Sequence, residues 1–115
     1  MASDGSNAGE AGAGKTFQAV AKVGDIAEGE GQPYEVGDRL IAVFLDQGTY
    51  FATDDSCPHQ GAPLCDGLVA DGTVTCSWHG WQFNLSDGRW ADNPRVRVTT
   101  YPVRVEGDEI QVCVD

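Results

Sequence analysis

The stretch CPHQGAPL at 57–64 is echoed by CSWHGWQF at 76–83, and the two together hold both histidines of the chain, His59 and His79. Each histidine lies within three residues of a cysteine: Cys57-x-His59, then sixteen residues, then Cys76-x-x-His79. Thiolate and imidazole suit zinc or iron, whereas hard cations such as calcium take oxygen. Ligand pairs on two separate loops can close on one centre from opposite sides.

Three readings of this pattern compete. A zinc site needs four ligands in a tetrahedron and usually pairs like with like, Cys-x(2–4)-Cys with His-x(3–5)-His. Here each loop supplies one sulfur and one nitrogen, and Cys-x-His is tight for two ligands of a single tetrahedral ion. A two-iron centre fits better, because one cysteine from each loop can hold one iron and one histidine from each loop the other. That is the Rieske arrangement, with two histidines in place of two cysteines at a [2Fe–2S] cluster. The third reading is a core without metal, in which the pairs are coincidental. Glycines follow both histidines closely, Gly61 and Gly80, where a tight loop lets backbone N–H groups approach bridging sulfides. Pro58 and Pro63 stiffen the first loop.

Outside these loops the pattern is β. KTFQAVAK (15–22) predicts a first strand and QPYEVG (32–37) a short second one. RLIAVFLD (39–46) is apolar on both faces, as in a buried central strand. Gly48 then turns the chain, and Tyr50, Phe51 and Thr53 suit a strand pairing back as a hairpin. At the far end VTTYPVRVEGDEIQVCVD (98–115) predicts a second hairpin reversing at Gly107–Asp108, with Pro102 marking an edge or bulge. Between the hairpins, 54–94 is rich in Gly, Pro and Asp, and holds only short strand-like pieces such as TVTC (73–76) and WQFNL (81–85). A loop-rich segment this long needs more than a hydrophobic core, and a metal centre would hold it. No helical period is sustained.

Composition limits the functions open to the chain. Its 115 residues suit one domain. Residues 1–14, MASDGSNAGEAGAG, lack the basic and apolar regions of a secretory signal and cannot bury enough surface to order themselves, so a flexible tail is expected there. The folded unit is then 15–115, with the metal-binding part at about 54–94. A net charge of −11 repels nucleic acid and anionic membranes and favours a basic partner face, although it also simply confers solubility. No run is apolar and long enough for a membrane helix. The expected compartment is the cytoplasm, where such cysteines are more often ligands than disulfides.

The two boxes, C-x-H-x-G-A-P-L and C-x-x-H-G-W-x-F, together with YFATDDSCPHQGAPL and YPVRVEGDEIQV, resemble those of Rieske-type ferredoxins over residues 16–115. The resemblance implies an all-β fold: an antiparallel β-sandwich or barrel with a small rubredoxin-like cluster-binding subdomain. It implies one [2Fe–2S] cluster, with Cys57 and Cys76 on the buried iron and His59 and His79 on the outer iron through Nδ1. Asn93-Pro94 falls about where the family has a proline-containing loop. The respiratory members carry two further bridging cysteines, and those positions here are Ala62 and Trp78. Cys65 and Cys113 are then expected to be packing residues. High-potential members also place a serine soon after the second histidine, where this chain has Trp81. Fewer hydrogen bonds to the sulfides, with Asp54, Asp55 and Asp66 nearby, imply the low end of the Rieske span, roughly −150 to 0 mV. Trp78, Trp81 and Trp90 are expected to cover the cluster rather than relay electrons.

The function so implied is that of a soluble one-electron carrier, itself no enzyme. It would work as a monomer between a flavin-containing reductase and a terminal oxidoreductase such as a ring-hydroxylating oxygenase. The chain shows no Gly-rich phosphate loop for NAD or flavin and no spare histidine for a mononuclear iron. The alternative is the small subunit of an NAD(P)H-dependent nitrite reductase, which resembles the same fold. The third possibility is a zinc-stapled structural module.

Overall fold

Strand Arg39–Asp46 organises the computed structural model, which describes residues 16–56, 63–77 and 80–114. The expected tail, 1–14, lies outside the described residues. Among these residues the strands run in chain order as β1 (Phe17–Lys22), β2 (Gly31–Val36), β3 (Arg39–Asp46) and β4 (Thr49–Asp54). A 3-10 turn at Leu64–Asp66 leads to β5 (Leu68–Ala70), β6 (Thr73–Thr75), β7 (Gln82–Asn84), β8 (Arg89–Trp90) and β9 (Asn93–Arg97). Then come β10 (Thr100–Tyr101), β11 (Val103–Glu106) and β12 (Glu109–Cys113). Every pairing is antiparallel, in three sheets ordered β10-β4-β3-β2, β9-β8-β7-β6-β5 and β11-β12-β1. The fold is all-β, as expected.

β3 is buried on both faces because both meet a core. Successive side chains of a strand point to opposite sides. Ala42 and Phe44 enter one core with Leu64, Val74, Cys76, Phe83 and Val98. Ile41 and Val43 enter the other with Ile26, Val36, Ile110 and Val112. The apolar run in RLIAVFLD is thus two alternating sets, one for each neighbouring sheet.

Pro102 marks the place where the chain changes sheets. Before it, Thr100 and Tyr101 pair with Thr53 and Ala52 of β4; after it, Val103 pairs with Val112 of β12. Proline cannot donate to a ladder, but its carbonyl still accepts from the Cys113 N–H at 3.1 Å. The expected hairpin at the far end is present over Val103–Cys113, turning at Gly107–Asp108.

The expectation for the middle of the chain was incomplete. Where the sequence showed a loop-rich segment with only short strand-like pieces, the structure has the whole β5–β9 sheet. Its strands are two to five residues long, too short for alternation to register in the sequence. Cross-strand pairs hold them instead: Val69 faces Val74, Val74 faces Phe83, and Phe83 faces Trp90, one apolar row across four strands.

Candidate metal centre

The first candidate loop leaves the central sheet directly after β4. Ser56 bridges to Pro63 across its root, and the Leu64 N–H donates to the Asp55 carbonyl at 3.0 Å. The Asp55 carboxylate, only 5% exposed, accepts from the Cys65 N–H at 2.9 Å. A buried carboxylate is costly unless hydrogen-bonded, and here that bond ties the 3-10 turn to the end of the central sheet. The sequence reading credited Asp55 with negative charge alone and missed this second role. The signal available was an acid between a buried strand and a cysteine loop.

The second loop is closed just as tightly. The Cys76 N–H donates to the Trp81 carbonyl at 2.7 Å, and the Gly80 N–H donates to the Cys76 carbonyl at 3.1 Å. Gly80 has φ +74°, the left-handed region that glycine enters freely. Its own amide is used in closing the loop. Cys76 is 2% exposed and shares its core with Leu64, so the roots of both loops rest on one apolar floor.

Of the four candidate ligands, Cys76 is within the described residues. Cys57, His59 and His79 lie outside them, as do Ala62 and Trp78. Of the expected covering tryptophans, Trp81 and Trp90 stack with ring centroids 3.5 Å apart and planes 6° from parallel, packed against the Cys76 core. Cys65 and Cys113 are buried free thiols, consistent with packing roles. Burial, reinforced by Asp55, pushes the Cys65 thiol up to about 12, so it stays protonated at neutral pH.

A polar chain borders the first loop. The Tyr101 hydroxyl donates to the Asp54 carboxylate, and Arg39 donates to the same hydroxyl at 3.3 Å. Burial and the Asp54 bond raise the Tyr101 pKa above its ordinary value. This links the strand before Pro102 to the strand that enters the loop.

The structure thus brings the roots of the two sequence boxes that carry the Cys/His pairs onto one core between antiparallel sheets. The chain belongs to the Rieske [2Fe-2S] domain family, whose profile matches residues 16–102. The ferredoxin component of an alkene monooxygenase system from Xanthobacter autotrophicus is 32% identical over 94 residues, covering 81% of this chain and 77% of that protein. Apoptosis-inducing factor 3 from Homo sapiens is 35% identical over 95 residues, which are 82% of this chain but only 16% of that much longer protein. Among solved structures, a putative NADH-dependent nitrite reductase small subunit from Mycobacterium tuberculosis superposes with a TM-score of 0.82 at 29% identity, covering 88% of this chain and 96% of that one. Among the described residues, no helix is long and apolar enough to cross a membrane.

Proposed function

We propose that this chain is a one-electron carrier in which Cys57 and Cys76 hold one iron, and His59 and His79 the other, of a single [2Fe–2S] cluster. The donor set fits that group, since two thiolates and two imidazoles are the Rieske complement. The observation that carries the reading is Cys76, 2% exposed and held at the root of a closed loop inside the span matched by the family. When bound, the cluster supplies reversible one-electron chemistry. The protein supplies two loops pinned at their roots, an apolar floor beneath them, and a stacked tryptophan pair packed against the same core.

On this reading the carrier works in the cytoplasm as a monomer. It takes electrons from a flavin-containing reductase and gives them to a terminal oxygenase; the 32% identical relative is the ferredoxin component of a monooxygenase system. Residues 15–115 form the cluster-bearing unit, and the chain performs no catalysis itself. The TM-score of 0.82 favours a second reading, that of a nitrite reductase small subunit. Stable copurification with a large reductase subunit would support it.

The deciding experiment is EPR of the purified protein, as isolated and after dithionite, with iron and zinc counted on the same sample. Two irons per chain, a silent oxidised state and a rhombic signal on reduction are expected. One zinc and no signal would leave a zinc-stapled module.

A further inference from the structure

The charge of this molecule is unevenly placed. Three of its seven cations, Arg89, Arg95 and Arg97, fall within the β8–β9 hairpin. Only Asp87 and Asp92 oppose them over 87–97, so this segment is net +1 while the rest of the chain is −12. All three arginines are exposed. Arg97 lies directly opposite Arg89 in the β8–β9 register, a juxtaposition of like charges that weakens a strand pair. The ion pair between Arg89 and Asp87, at 3.7 Å and half-exposed, offsets little of it.

The hairpin also adjoins the candidate metal centre. Trp90, next to Arg89, stacks on Trp81, whose carbonyl holds the Cys76 N–H. The Ala91 N–H at the hairpin turn donates to the Gln82 carbonyl at 2.8 Å, at the foot of the same loop. β9 is the edge of its sheet, but its register breaks between Asn93 and Arg97, and Pro94 offers no N–H. Such an edge is a poor template for strand addition, so what it presents to a partner is side-chain charge.

We infer that the Arg89/Arg95/Arg97 face is a docking surface for the carboxylate-rich face of a protein that exchanges electrons with this one. At physiological salt the screening length is about 8 Å, so a local cationic patch can govern approach although the whole molecule is anionic. The inference rests on the electron-carrier reading.

The test uses the reconstituted protein, reduced and then mixed in a stopped-flow instrument with ferricyanide as an anionic acceptor. One electron passes from the protein to each ferricyanide, giving ferrocyanide with no proton transferred. Wild-type oxidation should slow as salt is raised, and R95Q/R97Q should be several-fold slower at low salt. R95K/R97K, which keeps the charge, should match wild type. A deca-glutamate peptide should inhibit wild type and leave R95Q/R97Q unaffected. A wild-type rate that rises with salt, as net charge alone dictates, or a variant indistinguishable from wild type in rate and inhibition would overturn the inference. Iron counts and EPR on every sample separate the two levels. Absence of the cluster would overturn the carrier reading and this inference with it, whereas an intact cluster with unchanged kinetics would overturn the docking surface alone.

Discussion

At Gly88 the backbone has φ +77°, and a Cβ added there would collide with the Val98 carbonyl oxygen. Gly88→Ala therefore combines left-handed strain with a backbone clash, and a loss of about 2–4 kcal/mol is expected in urea unfolding. Cys65 gives a pH prediction. Its folded pKa of about 12 lies above the ordinary thiol value of 9.0, so its contribution to stability is complete below pH 9 and is lost as pH rises through 12. Urea midpoints for wild type should fall across that window, and Cys65→Ala should show a shallower fall. At this scale the sequence revealed residue types and spacing well. The Cys/His pairs stood out because each uses scarce residues in a repeated context, and the packing role of Cys65 followed from its poor match to the position of the respiratory members' bridging cysteine. Asp55 was only half legible, because an acid bound to a backbone N–H ten residues away looks in sequence like any surface acid.

Between elements, a side-chain bond from Tyr101 to Asp54 reinforces the ladder that joins the strand before Pro102 to β4. Tyr101→Phe keeps the ring but removes the donor to Asp54, which is expected to cost about 1–3 kcal/mol in urea unfolding. The tryptophan stack belongs to the same scale. Trp90→Ala should remove the stack on Trp81 and loosen the Cys76 loop, with iron lost several-fold faster to a chelator, while Trp90→Phe should restore most of the retention. Equal loss in both variants would show that stacking does not hold the loop. The long strands were legible in sequence because eight residues of RLIAVFLD are enough to display a pattern. The β5–β9 sheet was not, since two- and three-residue strands owe their existence to partners that only the folded chain brings alongside.

For the whole molecule, Trp81 in place of a hydroxyl donor and a net charge of −11 both disfavour the extra electron of a reduced centre. A midpoint at roughly −150 to 0 mV is expected in a dithionite titration followed by EPR, and a value above about +150 mV would contradict this account. The overall β plan was legible because both terminal hairpins carry alternation and turn residues; the way Pro102 divides them between sheets was not, because sheet membership is a long-range property. One pairing has a consequence for how the protein is made. Phe17 at the start of β1 aligns with Cys113 at the end of β12, so the third sheet joins segments from opposite ends of the described chain. A ribosome adding about 5–20 residues per second leaves β1 without its partner for several seconds. The segment 57–79, with both cysteine and histidine pairs, is itself made within that interval, so its candidate ligands are on the nascent chain before the third sheet can close.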